Sequence, residues 1–149
     1  MLDRFFVDSN VWLYMFLEKG TDKALLAKQF INEKLLNNQV VISWQVLNEI
    51  TNVLLKNKFS ESTVYVIIEW ICKVVKIQDF SEKLLLDASD LRRNIYVSVW
   101  DSLIVAAAIN ADCRYIITED MQHNQTINKT TIVNIFNKEH KQKKTLTGS

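Results

Sequence analysis

The chain has 149 residues, 48% of them apolar and 23% charged, which is enough material for one globular domain with a sizeable core. Two glycines and no proline exclude the glycine-rich phosphate loops of nucleotide-binding folds and the nucleophile elbow of α/β-hydrolases, and two cysteines with two histidines show no zinc-ligand spacing. A net charge of +1 announces no nucleic acid, dissimilar cysteines suit a reducing compartment, and no apolar run approaches the ~20 residues of a membrane span, so a soluble cytoplasmic protein is expected.

Arg4 to Val7 is a short apolar run that stops at the polar triplet Asp8-Ser9-Asn10, which predicts a strand turning sharply into a helix. Val11 to Leu17 is apolar on all sides and predicts a buried helix closed near Gly20. Asp22 is placed to cap a second helix from about Lys23 to Leu36, with Ala27, Phe30, Ile31 and Leu35 on its inner side. Val40 to Ile42 predicts the second strand, and Ser43 the cap of a helix reaching about Asn57. Ser60 opens the next helix, with Val64, Ile67, Ile68 and Ile71 at helical spacing. Val74 to Ile77 predicts a third strand, and Ser81 caps a helix carrying Leu84, Leu85, Ala88 and Leu91. Ser98 and Asp101 have the spacing of a capping box before the apolar helix Leu103 to Ile109. Tyr115 to Thr118 and Thr131 to Ile135 complete the strands. This alternation predicts a single-domain α/β fold in three layers, α/β/α, around a roughly five-stranded parallel sheet. The domain is expected to occupy residues 1–137. Residues 138–149 are expected to form a basic polar tail, read either as a solvated end or as a phosphate-attracting arm, and its closing Thr145 to Ser149 resembles a cloning remnant.

Ligands of open α/β sheets bind beyond the carboxyl ends of the strands, where the strand order reverses. That rule sorts the 17 acidic residues. Asp8 directly follows the first strand, Glu119 and Asp120 follow the fourth, Glu49 lies less than two turns into the helix after the second, and Asp101 opens the helix leading into the fourth. Singly, each has a plain structural role. Asp8 is a helix cap, Asp101 a capping-box acid, Asp120 a turn residue, and Glu49 a border residue beside Val46, Ile50, Val53 and Leu54. Together, four carboxylates converging on one edge read as a functional cluster. Two unit charges about 5 Å apart repel by roughly 3 kcal/mol at an effective dielectric near 20, so such a cluster takes up protons or binds cations. An all-oxygen donor set selects Mg2+ or Mn2+ over zinc, and a divalent ion in an acidic pocket suits phosphoryl chemistry.

Val7-Asp8-Ser9-Asn10-Val11-Trp12 resembles the opening motif of the PIN-domain family. Glu49, within Trp44-Gln45-Val46-Leu47-Asn48-Glu49-Ile50, is similar in placement to that family's second acid. The segment from Val99 to Ala108 resembles the motif around the third acid, and Ile117-Thr118-Glu119-Asp120-Met121-Gln122-His123 the motif around the fourth. The resemblance runs from residue 3 to about 137, with the motifs in order. In length and in the last two motifs it extends to VapC-type toxins of toxin–antitoxin pairs.

The resemblance implies a PIN-like fold and a Mg2+- or Mn2+-dependent endoribonuclease, commonly homodimeric and restrained by a small cognate antitoxin. It implies Asp8, Glu49, Asp101 and Asp120 as metal ligands and catalytic residues, with Ser9, Asn10 and Thr118 supporting them. Glu119, beside Asp120, is read as a further supporting residue and competes with Asp120 as the closer ligand. The implied reaction is in-line hydrolysis of an RNA phosphodiester, in tRNA or another structured RNA, leaving 5′-phosphate and 3′-hydroxyl ends. The closing Asn134-Ile135-Phe136-Asn137 departs from the family by lacking a proline, which touches the last loop and none of the acids. Arg92 and Arg93 are read either as solvated helix-end charges or as contacts to flanking phosphates. Trp12, Trp44 and Trp100 border the motifs and are expected to be packed inside rather than to stack on bases. A dehalogenase-type phosphatase would need a second Asp at position 10, where Asn stands. The alternative from another class is a catalytically silent PIN-like module that binds RNA or protein, for which loss of an acid would be the sign.

Overall fold

The structure is a computed structural model and describes residues 2–137, so the expected basic tail lies outside the described residues. Twelve elements follow one another among them: β1 (Phe5–Val7), α1 (Ser9–Leu17), α2 (Asp22–Leu36), β2 (Val40–Ser43), α3 (Trp44–Lys56), α4 (Glu61–Val74), β3 (Lys76–Gln78), α5 (Glu82–Asn94), α6 (Val99–Asn110), β4 (Tyr115–Ile117), β5 (Thr126–Ile127) and β6 (Thr130–Val133). The strands form one sheet in the order β3-β2-β1-β4-β6-β5. All neighbours are parallel except the β5–β6 pair. All four residues of β2 are buried, as are Phe6 and Val7 in β1 and Ile116 and Ile117 in β4, so the central strands are covered on both faces. The α/β architecture follows the sequence reading.

Strand order reverses at β1. The chain builds β1, β2 and β3 outward to one side and returns to place β4 on the other, so the switch point lies between β1 and β4. Both strands end there together, with Val7 opposite Ile117, and the backbone N–H of Asp8 donates to the Ile117 carbonyl at 2.9 Å.

The structure corrects several boundaries and one strand count. The sheet has six strands, the sixth being the two-residue β5, which pairs with β6 across a tight hairpin with Asn128 at φ 55°. Two residues are too few to show an alternating pattern. Val74 ends α4 and strand β3 begins at Lys76, because β-branched residues in a short apolar run suit either state. Thr21, not Asp22, caps α2 through its hydroxyl and the Ala24 N–H at 3.1 Å, leaving Asp22 in the first turn, where a negative charge suits the helix N-terminus. Ser43 sits at the cap position of α3 without capping it. It is also the last residue of β2, which directs its side chain inward, and its Oγ is buried without a hydrogen bond.

The core wraps around Trp12, which is fully buried and donates its indole N–H to the Val7 carbonyl at 3.1 Å. This pins α1 to the end of β1, where Asp8 stands. Trp12→Phe is expected to lower stability by about 2 kcal/mol, from a lost hydrogen bond and a void, and to reduce the melting temperature by several degrees. A thermal melt reads this directly. No helix among the described residues is long and apolar enough to cross a membrane.

Candidate active site

Each acid reaches the switch point by a different local route. Asp8 ends the β1 segment and caps α1, with the Ser9 N–H donating to its Oδ1 at 2.8 Å. Glu49 lies on α3, four residues after Gln45, whose Nε2 donates to its Oε1 at 3.1 Å. Asp101 stands in the first turn of α6, its N–H held by the Ser98 hydroxyl at 3.0 Å. That helix runs back against the parallel strands, so its start falls at the same edge as their ends. Asp120 follows β4, with its N–H donating to Thr118 Oγ1 at 3.2 Å.

The turn Asp8-Ser9-Asn10 ties these elements together. The Ser9 hydroxyl donates to Glu49 Oε2 at 2.6 Å. Asn10 Nδ2 donates to Asp120 Oδ2 and Thr118 Oγ1, both at 3.0 Å, and lies 3.4 Å from Asp8 Oδ2. Asn10 Oδ1 accepts the Glu119 N–H at 3.2 Å, while the Thr118 hydroxyl donates to Asp8 Oδ2 at 2.9 Å. Of the four supporting positions read from the sequence, Ser9, Asn10 and Thr118 bond to the acids, while Glu119 joins this network through its backbone N–H and not through its side chain. Asp101 joins through the field: Asp120 and Glu49 both act on its carboxyl.

The electrostatics mark this place as short of positive charge. Burial pushes the Asp8 carboxyl from 3.8 up to about 6; the Ser9 N–H and Thr118 hydroxyl oppose this, and Glu49 and Asp120 add to it. Asp101 is also raised, chiefly by burial, with Asp120 and Glu49 adding to it. Among the described residues, none of the four acids is in an ion pair. As the side chains stand, no group of three or more His, Cys, Asp or Glu among the described residues is gathered closely enough to hold a metal ion. The donor chemistry nonetheless fits a hard divalent cation: carboxylate oxygens alone, one of them on the buried Asp8, with no lysine or arginine paired to them.

Glu119 is directed away from this set. Its Oε1 pairs with Lys23 Nζ at 2.8 Å, and Tyr14 and Phe136 lie under the same ammonium. Burial pushes the Glu119 carboxyl up, but Lys23 and the Tyr14 hydroxyl outweigh it and hold it below its ordinary range. Lys23 and Tyr14 escaped sequence reasoning, since nothing local relates them to residue 119. Gln45 was findable, four residues from Glu49 on one helix face.

The arginines are exposed in the last turn of α5, as the solvated helix-end reading has them, and only two of the tryptophans depart from expectation. Arg92 donates to the Ser102 hydroxyl at 2.8 Å and Arg93 lies 3.8 Å from Asp90, so both have partners within the chain. Trp12 is buried as expected. Trp44 and Trp100 are not: they are 45% and 68% exposed, because each occupies the solvent-facing side of a helix's first turn.

Fold and site together define a class, a switch-point α/β protein that presents uncompensated carboxylates at the ends of its central strands. The chain matches the PIN domain model over residues 5–128 and belongs to that family. By sequence, no curated protein matches it. Solved structures share the fold. One is a toxin–antitoxin complex from Klebsiella pneumoniae, at 19% identity and a TM-score of 0.66, covering 85% of this chain and 94% of that one. VapBC2 from Rickettsia felis, bound to a DNA fragment from its promoter, matches at 19% identity and 0.64, covering 87% and 97%. VapC20 from Mycobacterium tuberculosis, described as a toxin that cleaves the sarcin–ricin loop, matches at 19% and 0.61, covering 75% and 86%.

Proposed function

We propose that this PIN-domain protein is a Mg2+- or Mn2+-dependent endoribonuclease, the toxin of a toxin–antitoxin pair, acting on tRNA or another structured RNA. In this reading it works as a homodimer and is restrained by a small cognate antitoxin. The observation that carries the proposal is the set Asp8, Glu49, Asp101 and Asp120, drawn from four segments toward one switch point, with none of the four in an ion pair among the described residues. The fold's likeness to a toxin that cleaves RNA, and to toxins complexed with antitoxins, supports the same reading.

Those four residues would hold the ion. What a bound divalent ion supplies is neutralisation of the scissile phosphate and activation of water. The chain's own residues orient the donors. Ser9 fixes Glu49, and Thr118 fixes one oxygen of Asp8. Asn10 sets the spacing of Asp120 from Asp8 by contacting both.

The test is cleavage of total RNA by the purified chain in Mn2+, with the ends mapped. Cuts with 5′-phosphate and 3′-hydroxyl termini are expected, stopped by EDTA. Asp120→Asn is expected to lower the rate more than about a hundredfold, beyond the range typical of residues that merely support metal ligands. Glu119→Gln, which alters the contacts with Lys23 and Tyr14 and leaves the four acids in place, is expected to stay within about tenfold of wild type. Induction of the wild-type chain alone should arrest growth, and induction of Asp120→Asn should not. Equal cleavage by Asp120→Asn and wild type would remove Asp120 from the site.

A further inference from the structure

The tryptophans beside the acids expose large apolar surfaces at one place, and Phe80 joins them at 55% exposure. Such a concentration marks a binding surface more often than chance. Trp44, Phe80 and Trp100 line one cleft of about 650 Å3, together with the amides of Gln45, Asn48 and Asn52. The rings come from three segments, the start of α3, the chain after β3 and the start of α6. The amides share one face of α3 at spacings of three and four residues. Two contacts hold the walls in place. The Trp44 indole N–H donates to Asp79 Oδ1 at 2.9 Å, and Gln45 Nε2 donates to the Trp100 carbonyl at 3.4 Å.

Glu49 stands in the wall of this cleft, which therefore reaches one of the four acids. A second cleft, of about 340 Å3, has Asp101 and Asp120 in its wall with Gln122 and Gln125. A strand whose phosphate lay at the carboxylates would therefore have one recess next to Glu49 and another next to Asp101 and Asp120.

The chemistry of the aromatic cleft selects what enters it. Among the described residues no lysine, arginine or histidine lines it, so none of them offers a cation to hold a phosphate there. Aromatic faces edged by amides match a flat, uncharged ring with hydrogen-bonding edges. We propose that the cleft of Trp44, Phe80 and Trp100 receives an unpaired nucleobase of the RNA substrate, next to the phosphate lying at the carboxylates. This rests on the nuclease reading. A base inside a duplex is stacked and its edge is paired, so it enters only if flipped out. The cleft thus directs cleavage to loops and single strands. A second copy of the chain would be the other cover for such a surface, but a carboxylate and three amides in the wall suit a dry interface poorly.

The test uses the full chain with a short unstructured oligoribonucleotide and with the same strand paired to its complement. Binding is followed by tryptophan fluorescence in the Asp8→Asn background, which keeps the strand intact. The single strand is expected to quench the fluorescence and to bind at least about tenfold more tightly than the duplex. Trp44→Ala and Trp100→Ala are each expected to weaken that binding about tenfold or more, with Trp→Phe at either position recovering most of it. With Asp8 restored, the alanine variants should raise KM more than they lower kcat. Unchanged binding in both alanine variants would overturn the proposal. So would variants that bind RNA normally but turn a dimer into a monomer in sedimentation, since the cleft would then belong to a second copy. Wild-type protein that cuts neither RNA, alongside tryptophan-dependent binding of the strand, would remove the nuclease reading and leave the base cleft standing.

Discussion

Asp8→Asn is expected to abolish Mn2+-dependent RNA cleavage, by more than about a hundredfold, while making the metal-free protein more stable at neutral pH. The two effects share one cause. Asp8 is 5% exposed, and burial raises its carboxyl to about 6 from an ordinary 3.8. Between those values the folded protein holds a proton that the unfolded chain has released. The associated stability is therefore fully present below about pH 4 and is lost as pH rises through about 6. At pH 7.5 the metal-free fold carries a cost of roughly 3 kcal/mol for keeping this carboxylate charged. Asparagine removes the charge and still caps α1, since it is as good a cap as aspartate. The gain will fall short of the full figure, because Thr118 Oγ1 already accepts from Asn10 and Asp120, and an amide nitrogen in place of Oδ2 would add a third donor. A rise of several degrees in melting temperature at pH 7.5, shrinking toward none at pH 4, is the expected signature. A variant that melts lower than wild type at pH 7.5 in EDTA would mean that Asp8 is held as a structural cap.

Mn2+ is expected to raise the melting temperature of the wild-type chain and to do so less as pH falls. An ion binding only the folded state at ten times its Kd stabilises by about 1.4 kcal/mol, or roughly 2–5 °C for a domain of this size. Below about pH 6 the ion must displace the Asp8 proton, so its apparent affinity should fall about tenfold per pH unit. Mn2+ should act at lower concentration than Mg2+. Asp101→Asn should shrink the shift, because it deletes a carboxyl raised by burial and by its neighbours Asp120 and Glu49. Melts in EDTA and in Mn2+ from pH 5 to 8, at matched ionic strength, make the measurement. Superimposed curves with and without Mn2+ across that range would rule out the four acids as a metal site.

Several features of this protein were open to reading from residues alone. A buried parallel strand must be apolar on both faces, and Phe5–Val7, Val40–Ser43 and Tyr115–Ile117 show it. Polar residues that end such runs, as at Asp8-Ser9-Asn10 and Thr118-Glu119-Asp120, stand at strand ends, where the chain turns and their side chains bond to freed backbone groups and to one another. Once the helix after Ser98 is known to run back against the strands, even Asp101 can be placed at the same edge. The α/β class, the edge that carries the candidate site and the acids proposed for it were thus legible as local properties, set by periodicity and capping.

What only the tertiary structure decided are relations between distant segments and the direction of individual side chains. Sequence position cannot separate Glu119 from Asp120, which are adjacent acids in one turn. Lys23, from a helix nearly a hundred positions away, draws Glu119 to itself at 2.8 Å, while Asn10 holds Asp120 toward Asp8. Three tryptophans bordering the motifs look alike in sequence, yet one closes the core and two face solvent beside Glu49. A hydrophobic residue at a helix start has no periodic signal to say whether another element covers it, and here no element among the described residues does so fully. The two-residue strand β5 exists only because Thr130–Val133 offers it an edge to pair with. Local propensity chose the elements and their order. Packing and charge between segments far apart in the chain chose which carboxylates face one another, because those energies depend on distances that no stretch of sequence contains.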